Sequence, residues 1–296
     1  MSRESRPVRG RDQPRTITGI ETLRAELDET RRHHRSVGFV ATMGYLHDGH
    51  RALVEQAVGE NDVVVVSIFV NPLQFGPQED LDAYPRDPAR DVAVIADAGG
   101  HLVFAPSVTE MYATPTQTTV TVSGALGDTL EGASRPTHLP GVATVVTKLF
   151  GIVGPSSAYF GEKDWQQLAV VRRLAADLSF PVQVIGCPTV READGLALSS
   201  RNAYLTAEER SAAPVLHRAL ESGAQAIADG ERSAGVVRTV MRDAIAAAPL
   251  AHLDYVAVVD AASLAPVDPL RGQLRLLAAA TFGRARLIDN VGALAD

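Results

Sequence analysis

Cys187 is the only cysteine in 296 residues. A single thiol excludes an internal disulfide framework and a cysteine-built metal cluster. Its expected role is that of a small buried hydrophobe. Cations are in deficit as well. Lys and Arg total 28 against 35 Asp and Glu, a net charge of -7. A general nucleic-acid binder would be basic, so no nucleic-acid partner is expected, and any phosphate site must be a local gathering of cations. No apolar run reaches membrane-spanning length, so no membrane partner is expected either. The arginines at the start (Arg3, Arg6, Arg9, Arg11, Arg15) precede no apolar h-region and do not make a signal peptide. Residues 1–15 are expected to be a disordered tail of a cytoplasmic protein. The Walker run G-x-x-x-x-G-K-[ST] and the dinucleotide run G-x-G-x-x-G are both missing, which leaves a P-loop NTPase and a dinucleotide fold without support. There is no internal repeat.

What is present is a strand-helix alternation. The chain is 46% hydrophobic, enough for a sizeable core in one large domain or two ordinary ones. Ile20, Leu23 and Leu27 are spaced for one helix face. Residues 37–41 read as a strand. Residues 63–70 are apolar and β-branched throughout, the pattern of a strand buried on both faces. Asp87-Pro88 reads as an N-cap and first helical position, leading a helix that buries Val92, Ile95 and Ala96. Strands are expected at 101–105 and 157–160, with a short edge strand at 118–123. Residues 130–138 look too rich in glycine and proline for regular structure. Helices follow at 142–150 and after Asp164, the second burying Leu168, Val171, Ala175 and Leu178, and a last strand of this series lies at 182–185. Such alternation predicts an α/β fold, a Rossmann-like parallel sheet covered on both faces, over residues 16–187. The character changes after Pro188. Residues 188–202 are polar and irregular, 207–248 alanine-rich and helical, 253–260 and 273–289 strand-like. A second, smaller α+β domain is placed at 188–296.

Three stretches carry the candidate chemistry. Thr42-Met43-Gly44-Tyr45-Leu46-His47-Asp48-Gly49-His50 lies where a strand hands over to a helix with Leu53, Val54 and Ala57 on one face. In an open parallel sheet ligands bind at such junctions, and the N–H groups of a helix start favour anions. Imidazoles can donate to phosphate oxygens, and Gly49 admits a close approach to the backbone. Gly161-Glu162-Lys163-Asp164 opens a later helix, on which Lys163 and Gln167 are four apart and share a face. Lys163 suits phosphate as a flexible point charge. Leu198-Ser199-Ser200-Arg201 offers two hydroxyls and a guanidinium fork. Each stretch alone is compatible with an ordinary turn or polar linker. Together they point to a nucleotide phosphate site.

With Asn71-Pro72-Leu73-Gln74-Phe75, Leu130-Glu131-Gly132 and the run from Arg191 through Asn202, these motifs resemble the pantothenate synthetase (pantoate–β-alanine ligase) family, in the family's order and over roughly residues 16–290. H-x-G-H alone marks a whole nucleotidyltransferase superfamily; the combination with N-P-x-Q-F, G-E-K-D and L-S-S-R-N is specific. The resemblance implies ATP-dependent joining of pantoate to β-alanine through a pantoyl adenylate, releasing AMP and pyrophosphate. It further implies Mg²⁺, a homodimer and a C-terminal lid. By position, His50 is the proton donor and His47 helps hold the phosphates. Residues 42–50, 161–164, Val190 and 198–201 contact ATP. Gln74 and Gln167 grip pantoate, and Lys163 and Arg201 join the histidines in catalysis. The metal ligands are not assigned.

The chemistry agrees with that assignment. A carboxylate attacks the α-phosphorus in line, and charge grows on the leaving oxygens, where donors and cations stabilise it. An acyl adenylate hydrolyses readily, so excluding water is useful. Ala41, Tyr45, Leu139, Pro140 and Trp165 depart from the family pattern, and Leu139 and Pro140 leave the role of His138 open. Two other readings are a related nucleotidyltransferase acting on a phosphorylated substrate and a nucleotide-binding module without catalysis. Gln74 and Gln167, neutral amides, suit a hydroxy acid better than a phosphate. The joint presence of His47, His50, Lys163, Ser199, Ser200 and Arg201 argues against a module without chemistry.

Overall fold

Val63, Val64, Val65 and Val66 are apolar at every position because both faces of their strand are covered. Val63 and Val65 share one core with Phe39, while Val64 and Val66 share another with Val40 and Leu53. The computed structural model describes residues 13–76, 81–82, 84–112 and 116–296. Six parallel strands are β1 (Arg15–Ile17), β2 (Val37–Thr42), β3 (Val63–Ile68), β4 (Leu102–Phe104), β5 (Ser156–Gly161) and β6 (Val182–Cys187). Their order is β1-β4-β3-β2-β5-β6. The helices among them are α1 (Ile20–Arg32), α2 (Asp48–Glu60), α3 (Pro88–Asp97), the single turns α4 (Val108–Met111), α5 (Ala125–Asp128) and α6 (Glu131–Ser134), then α7 (His138–Val153) and α8 (Trp165–Asp177). Leu23 and Leu27 of α1, most of α7 and the apolar face of α8 fill the first core; Leu53, Val54 and Ala57 of α2 and Ile95 of α3 fill the second.

The C-terminal part holds α9 (Ala207–Ala212), α10 (Val215–Ala228) and α11 (Ala234–Ala246), then an antiparallel sheet of β7 (His252–Asp260), β8 (Gly272–Phe282) and β9 (Ala285–Ala295). Leu220 and Ile227 of α10 and Met241 of α11 pack with Leu276, Phe282 and Leu287 of that sheet into a core of their own. A small apolar patch of Ala169, Leu264 and Leu277, with Trp165 against it, joins the two parts. No helix among the described residues is long and apolar enough to cross a membrane. Cys187 is a free, buried cysteine, and burial pushes its thiol up to about 11, as fits a packing residue.

Several expectations need correction. Residues 1–12, most of the expected tail, lie outside the described residues, but Pro14 is buried and Arg15 opens β1 by pairing with Leu102. Residues 118–123 form no strand. The Val120 N–H donates to Thr144 Oγ1 at 2.9 Å and its side chain packs on the first core, so this segment is tied to α7 and not to a sheet edge. Residues 130–138, expected to lack regular structure, contain α6 and the first residue of α7. Leu178 is 48% exposed because α8 ends at Asp177 and leaves Leu178 as its cap. The stretch 188–202 is irregular as expected, tied by the Arg191–Ala197 bridge and the Leu198 N–H to Val190 O bond at 3.0 Å, with a 3₁₀ turn spanning Ser200–Tyr204.

Candidate active site

In this sheet β3 and β4 run out to one side of β2, and β5 and β6 to the other. The order reverses between β2 and β5, the place where an open α/β sheet leaves a crevice beyond its carboxyl ends. β2 ends at Thr42 and β5 at Gly161, so the turn with the histidines and the G-E-K-D turn flank one crevice. A cleft of about 920 Å³ opens there. Thr42, Met43, His47, Gly49 and His50 line it, with Gln74, Gly161, Lys163, Asp164, Gln167, Val190, Leu198, Ser199, Ser200 and Arg201. That volume lies within the range of roughly 300–1,000 Å³ typical of small-molecule sites.

The two histidines cap α2 reciprocally. His47 Nδ1 accepts from Gly49 N–H at 3.1 Å, and His50 Nδ1 accepts from His47 N–H at 3.3 Å. A ring nitrogen that accepts carries no proton. The hydrogen bonds therefore assign the proton of each neutral ring to Nε2. Burial, then Lys163, pushes the His47 pKa down to about 4; burial, then His47, pushes His50 down to about 3. At neutral pH the pair presents two uncharged N–H donors at a helix N-terminus, with ring centroids 4.1 Å apart.

The turn before them is held from below. Gly44 has φ +84°, Tyr45 has φ 52°, and two successive N–H groups converge on a buried carboxylate: Asp91 accepts from Tyr45 N at 2.9 Å and Leu46 N at 2.7 Å. A side chain at Gly44 would be strained by that φ and would meet Asp91 Oδ2 at 2.9 Å. Arg90 lies over the Tyr45 ring at 5.0 Å, and Leu46 is wholly buried. Gly44, Tyr45 and Leu46 thus support the turn and do not line the cleft. Asp48 is exposed on α2, and Glu162 faces Arg275 at 3.4 Å; neither lines the cleft.

The N-P-L-Q-F turn presents Gln74. Asn71, buried, accepts from Leu73 N–H at 3.2 Å and from the Tyr112 hydroxyl at 2.8 Å, and donates to Gly141 O at 3.0 Å and Gln74 Oε1 at 3.1 Å. With its oxygen so held, Gln74 turns its amide nitrogen to Met43 Sδ, 2.8 Å away. A Cβ at Gly141 would come within 2.3 Å of Leu73 O, so only glycine lets α7 sit against this turn. His138 lines the cleft beside it, with Nδ1 3.4 Å from Gln74 O, and burial, then Arg135, pushes its pKa down to about 4. Leu139 is core, 3% exposed. On α8 both Gln166 and Gln167 border the cleft, and the Gln166 side chain is committed, accepting from Glu131 N–H at 3.0 Å and donating to Leu126 O and Thr129 O at 2.8 Å each.

Lys163 Nζ lies 3.5 Å from Asp164 Oδ1. Burial opposes the Asp164 charge, but Lys163, His138 and Arg201 outweigh it and hold the pKa below the ordinary value. Ser199 Oγ caps the 3₁₀ turn, accepting from Arg201 N–H at 3.2 Å. Among the described residues no three His, Cys, Asp or Glu side chains gather as a metal site. Sequence reasoning missed Asp91 and Gln166, and gave Asn71 no role beyond its place in the N-P-x-Q-F motif. Only Asp91 left a trace, an acid one helical turn from Ile95 on the apolar face of α3.

Neutral donors, cations and the Asp164 carboxylate gather at the switch point of a parallel sheet, the arrangement of an α/β ligase. The chain belongs to the pantoate-beta-alanine ligase family, whose model matches residues 15–292. It is 54% identical over 277 residues to a pantothenate synthetase of Sinorhizobium medicae, covering 93% of this chain and 95% of that one. A crystal structure of pantothenate synthetase from Thermus thermophilus superimposes with a TM-score of 0.88 at 52% identity, covering 94% of this chain and 98% of that one. A pantoate-beta-alanine ligase from Francisella tularensis, crystallised with "Beta-gamma ATP" and β-alanine, gives a TM-score of 0.77 at 32% identity, covering 94% and 97%.

Proposed function

We propose that this chain condenses pantoate with β-alanine to pantothenate using ATP, through a pantoyl adenylate, and releases AMP and pyrophosphate. The observation that carries the reading is the convergence, in a member of this family, of the His47 and His50 Nε2–H donors with Lys163 and Arg201 across one cleft.

In the first step a pantoate carboxylate oxygen attacks the α-phosphorus, and the bond to the bridging oxygen breaks. Charge moves onto the leaving pyrophosphate. His47, Lys163, Ser199, Ser200 and Arg201 hold the phosphates, and His50 donates to the oxygens that gain charge. Both imidazoles are neutral, so they serve as fixed hydrogen-bond donors and not as cations. Gln74 and Gln167 grip pantoate by its carboxylate and hydroxyls. In the second step the β-alanine amine attacks the acyl carbon, loses a proton, and AMP leaves. Mg²⁺ enters with ATP as part of the substrate. Such ions keep phosphates, waters and one or two carboxylates as ligands, and Asp164, beside Lys163 and Arg201, is the protein carboxylate suited to that role.

Residues 16–187 form the ATP- and pantoate-binding domain in this reading, and 188–296 a lid over the phosphates. Opening the lid would break the bonds from Glu131 to Arg286 (2.7 and 2.8 Å) and to the Tyr255 hydroxyl (2.8 Å). The homodimer and the cytoplasmic location rest on the family resemblance. Mass analysis of a reaction with pantoate, β-alanine and ATP tests the function. Pantothenate, AMP and pyrophosphate in equal amounts are expected. A product that retains the nucleotide would mean a nucleotidyltransferase instead.

A further inference from the structure

Two neighbouring buried residues on β9 reach back to two separate phosphate-side segments of the cleft. Asn290, 3% exposed, donates from its amide nitrogen to Glu162 O at 3.0 Å and Lys163 O at 2.8 Å, and its Oδ1 accepts from Arg275 Nε at 2.6 Å. Both amide hydrogens and the amide oxygen are therefore used, a set that only Asn or Gln can supply. Asp289, 4% exposed, takes Arg191 in a two-pronged pair at 2.6 and 2.8 Å. Arg191 also donates to Gly195 O at 3.0 Å and bridges Ala197, one residue before Leu198. The backbone of Lys163 and, through Arg191, the loop that leads to Arg201 are thus joined to consecutive positions of one strand.

We infer that Asp289 and Asn290 are positioning residues that fix the spacing of Lys163 and Arg201 across the ATP phosphates. The physical need is plain. Lysine and arginine side chains are long, so their heads are placed only as well as their backbones are anchored. The turn carrying Lys163 is a single 3₁₀ turn, Glu162–Asp164, with no side-chain cap of its own. The Asn290 amide supplies the external anchor. Asp289 does the same for the loop that leads into 198–201. Because the two anchors are adjacent in one extended strand, the distance between the two cationic segments is set by that strand. This inference rests on the reading that Lys163 and Arg201 bind the ATP phosphates.

The test uses the full chain with ATP, AMP and pantoate. Asn290→Ala should lower pantoate-dependent pyrophosphate exchange by on the order of 10²-fold, the effect of misplacing a group by about 1 Å. It should weaken ATP more than AMP, since AMP lacks the outer phosphates. In a Lys163→Ala background the same change should do little, because the two residues act as one unit. Asp289→Asn, which keeps shape and packing, should behave in the same way relative to Arg201→Ala and carries the test if Asn290→Ala loses its circular dichroism. Equal losses for ATP and AMP, or full additivity with Lys163→Ala and Arg201→Ala, would mean a structural role alone and overturn the inference. Wild type that binds no ATP would overturn the phosphate reading itself, a distinct result.

Discussion

The two rims of the cleft are held by different balances of local and distant contacts. On the histidine rim the caps are local, since His47 and His50 cap the helix they belong to, and the turn bends at Gly44 and Tyr45 within the same short stretch, braced from outside by Asp91 of α3. On the rim formed by Lys163 and Arg201 the local Ser199 cap is joined by constraints from far away in the chain. Asn290 reaches Lys163 across 127 positions and Asp289 reaches Arg191 across 98. The histidine caps of the first rim are a property of a strand-turn-helix unit. The second exists only once the C-terminal sheet has docked. Donors are preset on one side, and cations are assembled on the other.

That contrast can be broken at several points. The largest expected effect is at the preset rim. His50→Ala should lower kcat by on the order of 10²-fold or more, the scale for loss of one preorganised donor. Circular dichroism should stay native, since the residue sits at a helix start. A near-normal kcat would remove His50 from the reaction. Next is the assembled rim. Arg201→Ala should weaken ATP by about 1.5–3 kcal/mol, as for a hydrogen bond to a charged group, and AMP by less. Calorimetric titration of both nucleotides decides this; equal losses would mean that Arg201 does not read the outer phosphates.

Gln74→Ala lies on neither rim and sharpens the comparison as a control. It should raise the pantoate KM by the equivalent of about 1 kcal/mol and leave ATP binding alone. An unchanged pantoate KM would show that the turn after β3 serves something else. The smallest effect concerns stability. His47, His50 and His138 have pKa values lowered to about 4, 3 and 4 in the fold, against 6.5 for the free side chain. Below that ordinary value the unfolded chain takes up protons that the folded one refuses. The stability these groups allow is therefore complete above about pH 6.5 and falls as pH drops toward 4. Urea midpoints should decline as the buffer is taken from neutral toward mildly acidic pH, and His47→Gln should flatten the slope. An unaltered slope would show that His47 is not held neutral.

The same contrast explains what could be read from the chain alone. Apolar periodicity located β2 to β6 because both sheet faces are covered, but not the three-residue β1, and H-x-G-H was legible because its geometry is made within one turn. Asn71, Gln166, Asp289 and Asn290 look like any polar residues, and their partners lie on other elements. The resemblance implies that Tyr45 and Leu46 face the nucleotide, yet Asp91 draws their N–H groups down beneath the turn. Periodicity also extended the buried face of α8 one position too far, to Leu178, because nothing in it marks where the helix stops at Asp177. Residues 118–123 alternate like a strand, but the Val120 N–H finds Thr144 and not a sheet edge.

Pyrophosphate exchange tests the central claim most directly. With wild-type protein, labelled pyrophosphate should pass into ATP when pantoate and Mg²⁺ are present and β-alanine is absent, because the adenylate forms in a first, reversible step. Exchange that requires β-alanine would contradict that order and leave no free-standing adenylate for the cleft to protect.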